Sequence, residues 1–472
     1  MSAHRPVDAA ERDLISVSGT ERTLFVEAGA GTGKTTALVQ RVVNTVLDRG
    51  VPLTALAAIT FTEAAASELQ TRIRVGFEQV LADPELSTTR RERAEQAVAD
   101  ADMASISTVH GFASRLLSEF STAAGLPPRV AVLDEIASQL AHEQRWERFV
   151  DRLHRDPANG ELLYRAALLN IALTPRYPGE GSFKAIAAVL AQNWDRLGEL
   201  DTIDEPLPDI DFAPFDDAVA ALEAVADTCV DRTDKLYEHI VTTCLPEMRA
   251  LVAEESPSAK LRHLANTEWK TGRSGRKEAW GRAGAEVRDD IKAVNEAGAA
   301  VVAACSQPVL DRLLRLTANE VLQAADARRD DGGLEFHDLL VLARQMLRTR
   351  PEVRRVLHER YRHILLDEFQ DTDPTQIEAA SLIAATPADE LPADWAEHAV
   401  EAGRLFFVGD PKQSIYRFRR ADISLFLQAR DAFGGAGGPV ALTTNFRTVA
   451  PIIEWVNELF GAAMPTEVPD AQ

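Results

Sequence analysis

The chain has 472 residues, of which 46% are apolar and 26% are charged, the balance of an ordinary soluble protein with roughly two or three domains. This composition excludes a disordered chain, a collagen and a coiled coil, and no apolar run is long enough to cross a membrane. The net charge of −22 argues by itself against a nucleic-acid-binding protein, although binding depends on local grooves more than on total charge.

The cysteines and the N-terminal residues bear on the compartment. Cys229, Cys244 and Cys305 are too few and too far apart for a disulfide framework or a four-cysteine metal site. Residues 1–12 lack the apolar segment of a signal peptide. We therefore expect a reducing, cytoplasmic location and no membrane partner.

Apolar runs alternate with loops and helical patterns at the start of the chain. The predicted elements are a helix over 7–17, a strand over 23–27, a helix over 34–47, a strand over 57–61, and a strand near 105–108 leading into a helix that ends near Phe120. This alternation is typical of βαβ units and a parallel sheet.

A long middle region interrupts this pattern. From about residue 125 to 334 the periodicity is mostly helical, and strands resume over 362–367, 404–409 and 440–444. One stretch of the middle region, 260–282, interleaves Lys and Arg with Trp269 and Trp280. It is either a nucleic-acid contact or a solvated helix face with the tryptophans in the core.

A glycine-rich segment lies between the first predicted strand and its helix. The residues predicted to bind a nucleotide there are Ala28, Gly29, Ala30, Gly31, Thr32, Gly33, Lys34, Thr35 and Thr36. Glycines let backbone N–H groups approach phosphate oxygens, and the helix N-terminus favours negative charge. Lys34 would reach the β- and γ-phosphates and the Thr35 hydroxyl would hold Mg²⁺, so ATP and Mg²⁺ are the expected cofactors.

This phosphate-binding loop departs from the strict pattern at position 28, where Ala replaces Gly. A methyl group is tolerable there if the backbone is not left-handed. The alternative for the whole segment is a glycine-rich turn without a ligand.

A pair of carboxylates follows the strand predicted over 362–367. Asp367 would lie beside the magnesium, and Glu368 would act as the general base that orients the attacking water. The alternative is a pair of carboxylates that caps a helix.

Further motifs carry a resemblance to a known family. The matching segments are, in chain order, 27–35, 59–66 with Glu68 and Arg72, 107–112, 365–372, 407–418 and 442–447. In this order they resemble motifs I, Ia, Ib, II, III and IV of superfamily 1A DNA helicases of the UvrD/Rep type, in particular the AddA/RecB-like subgroup. Residues 334–339 resemble the segment that re-enters the first motor domain of these helicases.

The resemblance implies further residues at the ATP site. Gln413 would sense the γ-phosphate, Arg447 would clamp the same phosphate, and Phe446 would stack on the adenine. The family usually has a Gln before motif I that contacts the adenine. By spacing, the equivalent position in this chain falls near Glu11. Arg447 could instead be a solvated charge.

The resemblance also implies a track for single-stranded DNA. Its residues would be Phe61, Thr62, His110, Phe112, Tyr416, Phe418 and Arg419. Aromatic rings stack on bases of any sequence. Tyr416 and Phe418 could instead pack in the core, and His110 could be a structural histidine.

The fold class implied is α/β, with a RecA-like P-loop NTPase parallel sheet, a large all-helical insertion and only the start of a second RecA-like domain. Residues 1–124 and 335–438 would form motor domain 1A, 125–334 the helical subdomain 1B, and 439–472 the truncated start of domain 2A. The function implied is that of an ATP-dependent, 3′–5′ DNA helicase or translocase of recombination and repair.

Motifs V and VI of the family are absent from these 472 residues. An alternative is therefore a half-motor that binds ATP and DNA but needs a partner chain for turnover. The expected partners are single-stranded DNA, single-strand/duplex junctions, and a second polypeptide that supplies the rest of domain 2A or an AddB/RecC-like subunit. An unrelated P-loop ATPase is disfavoured, because it would not carry motif III.

Overall fold

The computed structural model describes residues 5–198, 201, 205–272, 275–416, 421–433 and 438–463. The chain divides into two compact units. One consists of residues 1–132 and 329–472, and the other of residues 133–328. The second unit lies within the range 125–334 that the sequence assigns to a helical insertion.

The first unit is built on a parallel sheet, as the sequence predicts. The strands of the chain are β1 (Leu24–Ala28), β2 (Leu56–Thr60), β3 (Ser105–Thr108), β4 (Ala131–Val132), β5 (Gly333–Leu334), β6 (His363–Leu366), β7 (Leu405–Gly409) and β8 (Val440–Leu442). Six of them form one sheet in the order β3-β2-β6-β7-β1-β8, and every neighbouring pair is parallel. The carboxyl ends of these strands therefore meet at one edge of the sheet, where open α/β sheets bind ligands.

The last strand lies in this sheet. β8 pairs with β1 in the register Val26↔Val440 to Ala28↔Leu442. The prediction that residues 439–472 begin a second domain is therefore wrong for residues 440–442, which complete the first sheet. A short apolar run predicts a strand but does not specify its neighbour, because pairing is a long-range property.

The helices are, in chain order, α1 (Ala9–Asp13), α2 (Lys34–Arg49), α3 (Glu63–Leu81), α4 (Thr88–Ala99), α5 (Val109–Glu119), α6 (Glu135–Arg155), α7 (Gly160–Leu168), α8 (Phe183–Ala191), α9 (Ala213–Asp227), α10 (Lys235–His239), α11 (Leu245–Val252), α12 (Pro257–Leu264), α13 (Lys277–Trp280), α14 (Gly284–Asp331), α15 (Phe336–Thr349), α16 (Pro351–Arg360), α17 (Pro374–Ala384), α18 (Ile423–Phe433) and α19 (Ala450–Ala463). The opening helix is shorter than predicted, because residues 14–18 continue it as a π-helix.

Helices cover both faces of the sheet. Leu24 and Val26 of β1 pack with α2, α3 and α4 on one face, whereas Phe25 packs with α5, α15, α17 and α18 on the other. This division follows from the two-residue period of a strand, which points successive side chains to opposite faces. Phe25 is fully buried against the rings of Phe369, Phe407 and Phe426.

The two ends of the predicted insertion meet within the first unit. β4 pairs with β5 in parallel, with Ala131 opposite Gly333 and Val132 opposite Leu334. Two residues separated by some 200 positions in the chain are therefore neighbours, as they must be if the intervening segment is inserted into a continuous fold.

The second unit is helical, and its tryptophans are core residues. Trp269 and Trp280 are each 5% exposed and pack in one apolar cluster with residues of α9, α11 and α14. Lys260 is buried and its ammonium group lies 2.7 Å from Asp216 Oδ1. The tryptophans of the basic stretch therefore pack in the core, and Lys260 forms an internal ion pair.

None of the helices in the described part of the chain combines the length and the hydropathy that crossing a bilayer requires.

Candidate functional site

The glycine-rich loop turns between β1 and α2 through two left-handed residues. Gly31 has φ +77° and Gly33 has φ +79°, a region that costs residues with a Cβ about 1–2 kcal/mol. Ala28 needs no such freedom, because it is the last residue of β1 and is paired with Leu442. The methyl group at position 28 is therefore compatible with the loop.

The lysine of the loop contacts the predicted general base. Lys34 Nζ donates to Glu368 Oε2 over 2.7 Å. Glu368 has φ 52° and ψ 44°, a left-handed conformation that is uncommon for non-glycine residues. The structure thus brings together two residues that are 334 positions apart.

The second carboxylate of the pair is chemically unusual. Burial raises the pKa of Asp367 to about 6, repulsion from Glu368 adds to the rise, and Lys34 partly offsets it. A nearby cation stabilises the charged form of a carboxylate in such an environment. A cation placed beside Asp367 would therefore stabilise its charged form.

The loop that follows β8 lies on the phosphate-binding loop. Phe446 N donates to Gly31 O over 2.9 Å, and Asn445 Nδ2 donates to Ala30 O over 2.9 Å. The approach is so close that a Cβ added to Gly31 would come within 2.7 Å of Arg447 Cβ. Phe446 and Arg447, which follow in this loop, both have exposed side chains.

Motif III also reaches this edge. Gln413 is exposed and its Nε2 donates to Asp410 Oδ2 over 2.6 Å. Asp410 in turn accepts from Lys412 N and so caps the short helix over 411–413. The predicted γ-phosphate sensor is thereby held at the end of β7.

Two pairs of rings follow the strand ends. The ring of Phe61 lies 4.8 Å from that of Tyr416, at an interplanar angle of 37°. The ring of His110 lies 4.8 Å from that of Phe336, which is 60% exposed. Burial lowers the pKa of His110 to about 4, so this imidazole is neutral near pH 7.

The remaining predicted DNA contacts differ in their exposure. Thr62 is exposed and accepts from Ala65 N as the N-cap of α3. Phe112 is only 5% exposed and packs on Tyr361 in the core, so it cannot stack on a base and that prediction is dropped. The Phe112 side chain lies on the buried face of α5, and the residue type alone does not indicate which face that is. Phe418 and Arg419 lie outside the described residues.

The fold and these motifs agree with a comparison with known proteins. A model of the UvrD/REP helicase N-terminal domain matches residues 9–434. The chain belongs to this helicase family. The recognition from the motifs is thereby confirmed.

Three curated relatives of this helicase chain, each named as the A component of an ATP-dependent helicase/nuclease, are similar to it over almost its whole length. The relative from Streptococcus sanguinis is 25% identical, and the match covers 99% of this chain and 40% of the relative. The relative from Ligilactobacillus salivarius is 26% identical (96% and 38%), and that from Lactobacillus delbrueckii subsp. bulgaricus is 27% identical (95% and 39%). The chain therefore spans about two fifths of the length of these relatives.

Sequence reasoning missed one residue that joins the helicase motifs. Gln370 is 2% exposed. Its Nε2 donates to Glu368 Oε2 over 2.9 Å, and its Oε1 accepts from Asp410 N over 2.9 Å. It therefore connects the predicted general base with motif III. The sequence shows that Gln370 lies in motif II, but it does not show which groups its side-chain amide contacts.

Phe336 was missed for a related reason. It lies within the segment 334–339 that resembles the family, but an aromatic residue at the start of a helix is ordinarily read as core. Only its exposure and the neighbouring His110 mark it as a candidate base-stacking residue.

A third carboxylate of this site offers a test by pH. Burial raises the pKa of Asp371 from 3.8 to about 6, and repulsion from Glu368 adds to the rise. Since the folded state binds this proton more tightly than the unfolded state, stability decreases as the pH rises from about 4 to about 6 and stays reduced above that range. Asp371→Asn is therefore expected to raise the thermal midpoint relative to wild type at about pH 8 but not at about pH 4.

The measurement is thermal unfolding followed by circular dichroism, without nucleotide or Mg²⁺. Asp217→Asn removes an exposed carboxylate of α9 and serves as the matched control. A difference between Asp371→Asn and wild type that does not change with pH would contradict the assignment.

Proposed function

We propose that this chain is the ATP-hydrolysing motor of a DNA helicase or translocase that moves 3′–5′ on single-stranded DNA in recombination and repair. The observation that supports the proposal most is the contact of Lys34 with Glu368 at 2.7 Å, together with the link from Glu368 through Gln370 to motif III. It joins the expected hydrolytic groups to the segment that carries Tyr416.

The chain's own residues would divide the hydrolysis as follows. Lys34 would leave Glu368 and bind the β- and γ-phosphates, while backbone N–H groups of residues 29–35 bind the remaining oxygens. Glu368, freed from Lys34, would accept a proton from the attacking water. Gln413 would hold the γ-phosphate, and Arg447 would approach it from the loop after β8.

Thr35 and Asp367 would hold Mg²⁺ in this arrangement. The fit is supported by the buried carboxylate of Asp367, whose raised pKa indicates that its charge is poorly compensated without a further cation. Held by these residues, such an ion would supply positive charge that offsets the charge of the bound phosphates.

Single-stranded DNA would lie along the rings at the strand ends. Phe61 and Tyr416, whose rings are in contact, would provide one stacking position, and the neighbouring rings of His110 and Phe336 would provide a second. Stacking needs no base-specific hydrogen bond, which suits a motor that must move along any sequence.

Replacing Tyr416 with alanine tests this DNA track. Loss of the ring is expected to weaken single-strand binding by about 1–3 kcal/mol, measured by fluorescence anisotropy with a labelled oligonucleotide. Tyr416→Phe keeps the ring and should bind as wild type does. Tyr177→Ala, which removes a 63% exposed tyrosine of the other unit, is the control. An unchanged affinity for Tyr416→Ala would assign this ring to packing against Phe61 instead.

The decisive experiment is ATP hydrolysis by the purified 472-residue chain, with and without single-stranded DNA, and with Lys34→Ala as the blank. Turnover stimulated by DNA is expected if the proposal holds. ATP binding without turnover would favour the alternative, a half-motor that needs a partner chain. Absence of both binding and turnover would refute the proposal.

The name of the relatives supports a proposal about assembly. Their names describe them as one component of a helicase/nuclease, and a component implies a complex. We therefore include in the proposal a second polypeptide, of the AddB/RecC-like type, and a substrate with a single-strand/duplex junction. Co-purification of this chain with such a polypeptide would test it.

A further inference from the structure

The N-terminal residue Asp8 has an unexpected set of partners. It precedes α1 and occupies its N-cap position, but its side chain makes no capping hydrogen bond to the helix backbone, although capping is the usual role of Asp there. Instead it lies 3% exposed and accepts hydrogen bonds from the loop that follows β8. The donors are Thr443 N at 2.9 Å, Thr444 N at 3.0 Å and Thr444 Oγ1 at 2.7 Å.

Arg12 completes the arrangement. It donates to both oxygens of Asp8, over 3.0 and 2.8 Å. It also donates to Thr32 O of the phosphate-binding loop over 2.8 Å, and its guanidinium group lies 4.8 Å from the centre of the Phe446 ring. One pair of side chains therefore contacts the opening helix, the phosphate-binding loop and the loop that carries Phe446.

These contacts are chemically strong ones. Asp8 and Arg12 are both charged, which strengthens the hydrogen bonds between them. Asp8 also accepts backbone N–H bonds from residues some 435 positions away, so it ties two distant segments of the chain together. Burial raises the pKa of Asp8, but the hydrogen bonds from Arg12, Thr443 and Thr444 outweigh this effect and hold the pKa well below its usual range. The carboxylate therefore stays charged at neutral pH. We call the ion pair of Asp8 and Arg12 the clasp.

The side chain of Phe446 remains largely exposed in this arrangement. Arg12 covers one face, and the side chain is still 62% exposed. A nucleotide whose phosphates lie on residues 29–35 would therefore find the ring accessible to its base, while the cation–π contact with Arg12 helps to fix the position of the ring.

We propose that Asp8 and Arg12 are positioning residues that hold the loop 443–448 over the phosphate-binding loop and present Phe446 to the nucleotide base. The inference rests on the proposed function, because it assumes that residues 29–35 bind a nucleoside triphosphate. Its consequence is specific: loss of the clasp weakens recognition of the base and spares recognition of the phosphates.

The test compares two ligands in the full chain with Mg²⁺, namely ATP and inorganic tripolyphosphate, which has no base. Asp8→Ala is expected to weaken ATP binding about tenfold, the size of a lost charge-assisted contact, while the affinity for tripolyphosphate stays close to that of wild type. Hydrogen exchange at the amides of Thr443 and Thr444 is expected to become faster in the same variant. Asp13→Ala removes an exposed carboxylate of α1 and should leave all three quantities unchanged.

A double mutant separates positioning from general loosening. In a Phe446→Ala background, Asp8→Ala is expected to have no further effect on the ratio of ATP to tripolyphosphate affinity, because the ring it positions is gone. If Asp8→Ala does not fold, the near-isosteric Asp8→Asn, which loses the ion pair with Arg12, is judged by the same ratio.

An unchanged ratio in the folded Asp8 variant would overturn the inference, whatever the exchange rates show. A reduced ratio that persists undiminished in the Phe446→Ala background would overturn it as well. Failure of the wild-type chain to bind either ligand would refute the proposed function instead, so the two failures are distinguishable.

Discussion

Replacing Lys34 with alanine is expected to abolish ATP hydrolysis and to weaken nucleotide binding by about 100-fold, the effect of losing roughly 3 kcal/mol of charged hydrogen bonds. The ammonium group lies at the start of α2, 2.7 Å from Glu368 Oε2, where an incoming phosphate can exchange for the carboxylate. Its removal also leaves Asp367 and Glu368 without their neighbouring cation. Burial already raises the pKa of Asp367, and Lys34 partly offsets that rise, so the variant should show a still higher pKa there.

The measurements are titration with a fluorescent ATP analogue and steady-state hydrolysis. Lys34→Met keeps most of the aliphatic stem and separates the charge from the packing. Arg49→Ala removes a cation from the last turn of the same helix and should behave as wild type. Normal hydrolysis by Lys34→Ala would exclude residues 28–36 as the phosphate-binding loop.

Replacing Glu368 with glutamine is expected to lower kcat by about 10²–10⁴-fold, the usual contribution of a general base, without loss of nucleotide binding. The amide can no longer accept the proton of water. It also releases Lys34 from its ion pair, and a lysine that need not leave a carboxylate should bind phosphate at least as tightly. The combination of slow hydrolysis and undiminished affinity distinguishes a lost base from a disrupted site.

Single-turnover hydrolysis and the same nucleotide titration check this second prediction. Glu359→Gln changes an exposed carboxylate of α16 and is the matched control. A kcat close to that of wild type would move the role of general base elsewhere. Loss of nucleotide binding, in contrast, would indicate that Glu368 supports the loop rather than the reaction.

Much of the first unit and of the candidate ATP site could be predicted from short segments. β1, β7 and the loop between β1 and α2 lie within a residue or two of their predicted bounds, because apolar runs, glycine-rich turns and strand-end carboxylates are local patterns. The contact of Lys34 with Glu368 follows from the same logic, since parallel strands bring their carboxyl ends to one edge.

Contacts between distant segments were beyond that reasoning. Asp8 lies in the first turn of the helix predicted over 7–17, and nothing near it in the sequence indicates a partner at Thr444. Gln370 stood in a recognised motif without a role, because the direction of its amide depends on where Asp410 lies in the fold. Phe112 and Phe336 differ in exposure, 5% against 60%, although residue type favours neither for DNA.

The sequence by itself determined the six strands of the main sheet in chain order, the glycine-rich loop after the first of them and the family, because each depends on residues close together in the chain. Only the tertiary structure decided that β8 lies beside β1, which aromatic rings are exposed, and that Asp8 and Arg12 join the two ends of the first unit at the phosphate-binding loop. The physical reason is that sheet neighbours, burial and long-range hydrogen bonds are settled by packing among segments far apart in sequence, on which local propensity has little influence.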